Sequence, residues 1–213
     1  MKPGYLLSII IGLLAVIDAQ AADQQPGKAL YSSCIACHGA NAEGNPAMQG
    51  PSLTGQPREY LVRQLTNFIA GIRGADSNDV LGAQMRAMAL AISSEKGSEQ
   101  AVEDIASYIS TLPVTGPTTR VSGDLRNGNN LYHGNCGTCH GGKAQGNPQL
   151  NAPRLAGLEG DYLIRQYNNF SSGLRGSHKD DRYGRQMKFI ANSAVSEKDL
   201  RDIVAFIHAQ RIE

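Results

Sequence analysis

The five-residue motif Cys-x-x-Cys-His occurs twice in the chain, at 34–38 and at 136–140, and the two copies contain all four cysteines of the protein. Two thiols at this spacing lie on one helical turn, where both can reach the two vinyl groups of a single porphyrin. The adjoining imidazole can then bind the iron as the proximal ligand. The motif is the attachment signature of c-type haem, and its repetition predicts two covalently bound haem c groups.

The two motifs assign a role to each of their reactive side chains. We expect thioether bonds at the four cysteines and iron ligation at the two histidines: Cys34, Cys37, Cys136, Cys139, His38 and His140. Three other uses of the cysteines fit less well. A disulfide framework or a thioredoxin-like redox pair does not explain the histidine after each pair. A zinc site built from both pairs leaves those histidines redundant and the repeat described below unexplained.

Residues 1–21 have the composition of an export signal that is removed. Lys2 supplies a positive charge, residues 5–17 form an apolar run, and Ala19-Gln20-Ala21 offers small residues for cleavage. A helix that spans a bilayer needs about 20 apolar residues, so an uncleaved anchor is the less favoured interpretation. Because c-type haem is attached on the outer side of the bacterial inner membrane, export agrees with the motif and predicts a periplasmic protein.

The second half of the chain repeats the first at a constant offset of 102 residues, from the first haem cysteine through the next two helices. Examples of matched segments are Gly44-Asn45-Pro46 with Gly146-Asn147-Pro148, Tyr60-Leu61 with Tyr162-Leu163, and Gln84-Met85 with Gln186-Met187. The last helix requires a four-residue insertion in the first copy, so that Asp104 matches Asp202. Two copies at this period indicate a tandem domain duplication. We predict domains at 22–112 and 123–213, joined by a stiff linker at 113–122 that contains two prolines and a glycine.

Each copy is predicted to be helical, because no stretch alternates convincingly at period two. A first helix starts near Gly27 or Gly128 and runs into the haem motif, and a shorter helix carries a methionine. An amphipathic helix between them is expected to start at Pro57 and end at Gly74, with one apolar face formed by Tyr60, Leu61, Leu65, Phe68 and Ile72. The last helix is expected at about 98–111 and 197–209, with Ser98 and Ser196 as N-caps.

The second axial ligand of each iron follows by elimination. The first copy contains no histidine other than His38, which leaves methionine as the usual ligand. That copy offers Met48, Met85 and Met88, whereas the second copy contains Met187 alone. The offset pairs Met85 with Met187, each 51 residues after the first cysteine of its motif. We therefore predict Met85 and Met187 as axial ligands opposite the two histidines, and Met48 and Met88 as core packing residues.

Further polar positions are shared by the two copies. The Nδ1–H group of each axial histidine needs an acceptor, which a backbone carbonyl at Pro51 or Pro153 can supply. A second set of matched side chains can bind haem propionates or line the junction between the domains: Tyr60, Arg63, Gln64, Arg73, Tyr162, Arg165, Gln166 and Arg175. His133, His178 and His208 have no counterpart in the first copy, and we interpret them as surface or local hydrogen-bonding residues.

The charge of the chain is balanced overall but not between the halves. The net charge of +1 argues against a nucleic-acid partner. Residues 23–122 carry 7 Lys/Arg against 9 Asp/Glu, whereas residues 123–213 carry 12 against 9. This difference either orients the protein on charged partners or reflects ordinary drift between duplicated domains. The sequence favours neither interpretation.

With these residues assembled, the chain resembles the dihaem cytochrome c4 family, in which two class I cytochrome c domains are fused. The resemblance rests on the two Cys-x-x-Cys-His motifs, the Pro-x-Leu-x-Gly stretch after each, the Tyr-Leu-x-x-Gln helix and the downstream methionine. It implies an all-α fold whose two domains, each wrapped around one haem, are related by a pseudo-two-fold axis. It also implies a periplasmic electron carrier, not an enzyme, that moves single electrons from a quinol-oxidising complex to a terminal oxidase.

The expected partners are therefore redox proteins, with peripheral association with the membrane and without a small-molecule substrate. Two alternatives stay open. A cytochrome subunit of a dehydrogenase or oxidase complex has the same haem chemistry, so the sequence barely separates it from a free carrier. A dihaem peroxidase or thiosulfate dehydrogenase needs an exchangeable position on one iron, which the matched methionines argue against.

Overall fold

The computed structural model describes residues 19–93, 97–193 and 195–210. Within these ranges the secondary structure is helical, apart from isolated bridges between Asn45 and Gly50 and between Asn147 and Ala152. Among the helices described, none combines the length and the hydropathy that crossing a bilayer requires. The predicted export signal lies outside the described residues except at its last three positions.

Two similar helical units follow one another along the chain. The first contains α1 (Ala19–Tyr31), α2 (Ile35–His38), α3 (Arg58–Ile69), α4 (Val80–Ser93) and α5 (Ser98–Ser110). The second contains α6 (Leu125–Asn135), α7 (Gly137–His140), α8 (Gly160–Ser171), α9 (Arg182–Ala191) and α10 (Glu197–His208). A short 3-10 turn lies between the second and third helices of each unit, at Pro46–Met48 and Pro148–Leu150. The predicted all-α architecture of two tandem units is confirmed.

Each unit is built on a close crossing of its first and last helices, α1 with α5 and α6 with α10. Glycine makes the crossing close. A Cβ atom at Gly27 would overlap the carbonyl oxygen of Asp104, and one at Gly128 would overlap that of Asp202. The two aspartates are the residues that the four-residue insertion places in register, so the packing agrees with the predicted alignment of the last helix.

A buried tyrosine connects each helix crossing to the haem motif. Tyr31 and Tyr132 are almost fully buried. The Tyr31 hydroxyl donates to the carbonyl of Gly39 at 2.8 Å, and the Tyr132 hydroxyl donates to that of Gly141 at 2.7 Å. Each acceptor directly follows the motif histidine. The first helix therefore fixes the end of the motif through one hydrogen bond.

The amphipathic helix α3 ends earlier than predicted, at Ile69 and not at Gly74. Gly71 takes a left-handed conformation with φ of 70° and closes the helix, which is the usual role of glycine just after a C-terminus. Ile72 lies beyond the helix and is not part of its apolar face. Gly74 serves a different purpose, because a Cβ atom there would overlap the carbonyl oxygen of Gly82 in α4.

Two other details of the helices differ from the sequence-based expectation. The methionine helix α9 has 10 residues and is shorter than α8, as predicted, whereas α4 has 14 residues and is longer than α3, which has 12. Ser196 caps α10, as predicted, and accepts a hydrogen bond from the Asp199 N–H at 3.1 Å. Ser98 does not cap α5, because Gly97 occupies the N-cap position and Ser98 is the first helical residue. Glycine is also a favoured N-cap residue.

The linker is attached to both units by hydrogen bonds. The Thr115 N–H donates to Thr54 Oγ1 at 3.1 Å in the first unit. The Thr118 N–H and hydroxyl donate to Glu159 Oε1 in the second unit, at 2.8 and 2.9 Å. The carboxylate of Glu159 is buried. These contacts support the predicted fixed arrangement of the two domains.

His208 anchors the end of the linker and, at 3% exposure, is buried. Its Nδ1 accepts the Val121 N–H at 3.1 Å and so carries no proton, while its Nε2 donates to the Leu158 carbonyl at 3.1 Å. Burial lowers the pKa of His208 below its ordinary value. Arg120 adds to this shift, and Glu159 partly opposes it. The neutral ring is therefore the folded form, in line with the predicted local hydrogen-bonding role.

The helix crossing predicts different effects for two glycine substitutions in α6. Gly128→Ala should lower the free energy of unfolding by about 1–3 kcal/mol, because the new methyl group overpacks against Asp202. Gly134→Ala is the matched control: a Cβ atom there meets nothing within 4 Å, so it should be neutral or stabilise by about 1 kcal/mol through helix propensity. Thermal unfolding followed by circular dichroism measures both. Equal effects of the two substitutions would contradict the crossing.

The buried imidazole of His208 predicts a pH dependence of stability. As the pH falls below the ordinary histidine pKa of about 6.5, the unfolded chain binds a proton that folded His208 resists, so stability decreases. His208→Gln retains one donor and one acceptor for Leu158 and Val121 but does not titrate. Between about pH 7 and pH 5 the unfolding free energy of the parent protein should therefore fall more steeply than that of the variant. Parallel curves in denaturant titrations would count against this role.

Candidate haem-binding site

Each motif ends in a buried imidazole with one nitrogen already hydrogen-bonded. His38 Nδ1 lies 2.8 Å from the Pro51 carbonyl oxygen, and His140 Nδ1 lies 2.9 Å from that of Pro153. Because a carbonyl oxygen can only accept, Nδ1 carries the proton and Nε2 keeps its lone pair. Burial lowers the pKa of both histidines, which keeps the rings neutral. The predicted acceptors are confirmed, and each ring is prepared as a metal ligand through Nε2.

A tight loop presents each of these proline carbonyls. In the first unit, Asn45 and Gly50 exchange two backbone hydrogen bonds, at 2.9 and 3.1 Å. Asn147 and Ala152 do the same in the second unit, both at 3.0 Å. A Cβ atom at Gly50 would overlap the carbonyl of Cys37, so the loop passes directly against the haem motif. The carbonyl that accepts the imidazole N–H therefore belongs to the residue immediately after a turn that two backbone hydrogen bonds hold in place.

The four cysteines lie along the wall of the same cavity as the two histidines, and none is in a disulfide. Burial raises the pKa of the Cys34 thiol, and burial together with Cys139 raises that of Cys136 to about 11. These thiols are therefore protonated at neutral pH. The thiol groups have the placement that attachment to a macrocycle in the cavity requires.

One cavity of about 490 Å³ extends between the two motifs, a volume typical of cofactor sites. Its wall is largely apolar in both units. It includes Leu53, Leu61, Leu65, Phe68 and Met85 from the first unit and Leu155, Leu158, Leu163, Phe170 and Met187 from the second. The duplicated halves thus open onto a common space in which both sets of predicted ligands lie.

The predicted thioether residues Met85 and Met187 each occupy the sixth position of their helix, α4 or α9, and both line the cavity. Met48 and Met88 line it as well, but 52% and 40% of their surfaces are exposed. Because both side chains line the cavity, their exposure does not test the prediction that they are packing residues. Lining the cavity does not distinguish among the methionines, so the identity of the sulfur ligands stays a prediction from the repeat.

A buried aspartate fixes the start of each methionine helix. Asp79 accepts the Gly82 N–H at 3.0 Å, and Asp181 accepts the Gly184 N–H at 2.9 Å. A Cβ atom at either glycine would overlap the carboxylate. The sequence shows both residues as matched pairs, Asp79 with Asp181 and Gly82 with Gly184, but gives no role for them. In the structure, each aspartate and its glycine fix the position at which the methionine helix begins.

Arginines join the two units through contacts that repeat with the roles exchanged. Arg63 donates to the side chain and backbone oxygens of Asn151 at 3.1 and 2.7 Å. Arg165 donates to the corresponding oxygens of Gln49 at 3.3 and 3.0 Å. Since each residue stands 102 positions from its counterpart, this reciprocity is what a pseudo-two-fold axis produces.

A second reciprocal network lies at the centre of the junction. Arg73 donates to Gln64 at 2.7 Å and to Gln166 at 3.1 Å, while Arg175 donates to Gln166 at 2.7 Å and to Gln64 at 2.8 Å. Burial would raise the pKa of Tyr162, but Arg73 and Arg175 beside it lower that pKa below its ordinary value. Of the two roles proposed for these matched polar residues, lining the junction is the one observed directly.

Three arginines of these two networks have an Nε–H donor without a hydrogen-bond acceptor. The Nε atoms of Arg63, Arg73 and Arg165 are buried without an acceptor, and all three residues line the cavity. An unpaired buried donor costs about 1–3 kcal/mol, so these positions favour a ligand that brings acceptor groups. Haem has an apolar macrocycle, a metal and two carboxylates. The thiols, the imidazole lone pairs, the apolar wall and the unpaired guanidinium nitrogens fit such a group in each half.

The comparison with known proteins agrees with this site. The sequence model of the family described as Cytochrome c matches residues 24–113 and again 125–210. Cytochrome c4 from Thiocapsa roseopersicina is 32% identical over 73% of this chain and 79% of its own length. The chain belongs to the cytochrome c4 family. Cytochrome c4 from Azotobacter vinelandii is 29% identical over 94% of this chain and 95% of its own.

A solved structure and a further sequence relative agree with this family assignment. Reduced recombinant cytochrome c4 from Pseudomonas stutzeri aligns with a TM-score of 0.67 and 25% identity, over 88% of this chain and 98% of that one. A thiosulfate dehydrogenase electron acceptor from Thiomonas intermedia is 34% identical over 68% of this chain and 65% of its own. As a dihaem member of the cytochrome c4 family, the protein contains two covalently bound haem c groups and is a c-type electron carrier.

The two methionines that line the cavity on α4 provide a matched test of the ligand assignment. Met85→Ala should remove the absorption signature of thioether-ligated ferric haem at one of the two haems and leave an iron that binds added imidazole or carbon monoxide. Met88→Ala removes a similar side chain three residues further along and should retain both signatures. Optical titration of each haem-loaded variant gives the result. If Met88→Ala shows the loss instead, the register of the repeat is wrong.

Proposed function

We propose that this family member is a periplasmic carrier that shuttles single electrons between respiratory complexes, from a quinol-oxidising donor to a terminal oxidase or a similar acceptor. The observation that supports this most strongly is the duplicated donor set. Each half supplies two thiols, a neutral imidazole and a thioether to one continuous, mainly apolar cavity. Such a set serves electron transfer, because it leaves neither axial position for a substrate.

In this proposal every reactive side chain has one task. The thioether bonds to the two haems would be formed by Cys34, Cys37, Cys136 and Cys139, and the iron ligands would be His38 with Met85 and His140 with Met187. When bound, each haem supplies one-electron Fe(III)/Fe(II) cycling. The chain holds the imidazole in one tautomer and presents a largely apolar wall to the macrocycle. Its sulfur ligand raises the reduction potential in comparison with a pair of histidines.

The junction between the domains supports transfer within the molecule. Both sites open onto the same cavity, and the arginine and glutamine side chains of the reciprocal networks span the two units there. With a haem held in each half, this junction would provide the route by which an electron moves between the two halves. The fixed linker keeps this path constant, since hydrogen bonds attach it to both units.

The cleaved signal peptide and the domain boundaries are part of the same proposal. Residues 1–21 act as a cleaved signal, residues 22–112 and 123–213 form the two haem domains, and 113–122 connects them. The charge and hydropathy pattern of the N-terminus supports export. Haem attachment by Cys-x-x-Cys-His requires the same compartment.

A second candidate function follows from one relative. The Thiomonas intermedia protein is named for accepting electrons from thiosulfate dehydrogenase, and the present chain can serve a dehydrogenase in the same way, either as a free acceptor or as a subunit. In that case the haem chemistry is unchanged and only the donor differs. A dihaem enzyme that itself oxidises a substrate is the less favoured alternative, because it needs an exchangeable iron.

Ligand access separates a carrier from an enzyme. The purified haem-loaded protein should take up two electrons in a redox titration. At neutral pH, it should bind neither carbon monoxide when reduced nor cyanide when oxidised within seconds, because both axial positions are filled. Stopped-flow absorption measures this directly. Rapid binding at one haem would sink the carrier proposal and favour the enzyme, and purification with a stoichiometric dehydrogenase would favour the subunit.

A further inference from the structure

The outer faces of the two methionine helices differ in chemistry, although the methionines of their inner faces, Met85 and Met187, match. Three exposed positions of α4 are apolar, and the three matched positions of α9 are cationic or aromatic: Val80, Ala83 and Ala87 against Arg182, Arg185 and Phe189. We call the latter three residues the α9 face. Phe189 is 77% exposed, more than any other large apolar side chain among the described residues.

The two arginines of the α9 face are not paired with carboxylates in the described part of the domain. Among the described residues neither Arg182 nor Arg185 forms an ion pair. The guanidinium of Arg182 lies 5.6 Å from the ring centre of Tyr183, and Asp180, the carboxylate that Arg185 influences, is already paired with Lys179 at 2.9 Å. Two arginines and a phenylalanine thus face solvent together on one stripe of the helix, since they stand at positions i, i+3 and i+7.

The opposite side of the same helix belongs to the haem site. Tyr183, Gly184, Met187 and Ile190 line the cavity, and Ile190 is also 37% exposed, next to Phe189. A partner seated on the α9 face is therefore separated from the cavity by one helix, whose diameter is about 10 Å. This position combines surface access with closeness to the redox centre.

We propose that the α9 face docks an acidic redox protein that exchanges electrons with the second haem domain, and that the matched face of α4 does not. This inference rests on the proposed carrier function. Arginine and aromatic side chains dominate the binding energy of protein interfaces. Positive charge steers an acidic partner during its diffusional approach. The charge difference between the halves, which the sequence leaves unassigned, acquires a role in partner selection.

The face fits a protein better than a lipid surface. Electrostatic attachment to anionic lipid is typical of clusters of about 4–8 basic residues. The α9 face offers two arginines outside ion pairs, and nearby Lys188 is hydrogen-bonded to Ser177 at 2.8 Å. A single exposed ring flanked by arginines has the composition of a small transient interface, in which one aromatic side chain fills a pocket on the partner.

The duplication supplies the residues for a clean test. The variant R182V/R185A/F189A gives α9 the outer face that α4 has naturally. The probe is a reduced plant-type [2Fe–2S] ferredoxin, a small acidic protein that loses one electron as one haem iron gains it. The second-order rate at low ionic strength should fall about tenfold or more. Most of the difference should disappear at about 1 M salt, where the screening length is about 3 Å, and the remainder reports the loss of the Phe189 ring.

Two controls complete the experiment: transfer of the α9 face to α4, and reduction by a small-molecule electron donor. Adding V80R/A83R/A87F to that variant should restore the fast, salt-dependent rate through the first domain. The cationic donor hexaammineruthenium(II) should reduce both haems of every variant at about the parent rate. Unchanged ferredoxin kinetics in the triple variant would overturn the docking proposal. The proposal is equally overturned if the triple variant loses only its binding to phosphatidylglycerol vesicles, which would assign the face to a membrane. If neither reagent reduces the haems of the parent protein, the carrier proposal itself fails.

Discussion

A hydrogen bond from a buried imidazole to a proline carbonyl is the interaction on which each half of this molecule depends. It fixes the proton on Nδ1, leaves Nε2 for the iron and sets the orientation of the ring. The surrounding structure holds the two ends of that bond in place. A glycine-mediated helix crossing and the buried Tyr31 or Tyr132 hold the motif, while a backbone-locked turn against it holds the carbonyl. The same parts occur in both units, so the arrangement was duplicated as a whole.

Duplication has kept the junction between the two units symmetric and let the exterior diverge. The reciprocal contacts of Arg63 and Arg165 and the shared cavity require matching residues on both sides of the pseudo-two-fold axis. No such requirement acts on the outward sides of α4 and α9. There Ala87 in one domain corresponds to the exposed Phe189 in the other. A dihaem carrier must meet both a donor and an acceptor, and unlike surfaces over like sites are a direct way to distinguish them.

Much of the site could be predicted because covalent chemistry restricts it. The spacing of Cys34, Cys37 and His38 has few uses, and elimination within a repeat pairs Met85 with Met187. What escaped prediction depends on packing. Tyr31 and Tyr132 were missed because they stand 101 residues apart, one short of the offset used for matching. The end of α3 was misplaced because two glycines follow it, and only the three-dimensional approach to α4 shows that Gly74 serves contact and not capping.

The central claim is that each half binds one haem through both of its motif cysteines. Peptide mass spectrometry of the protein purified from a host that attaches c-type haem tests this most directly. We expect one haem adduct on the peptide that contains Cys34 and Cys37, one on the peptide that contains Cys136 and Cys139, and no thiol that reacts with an alkylating reagent. A single adduct, or a motif whose cysteines are alkylated in the haem-loaded protein, would contradict it.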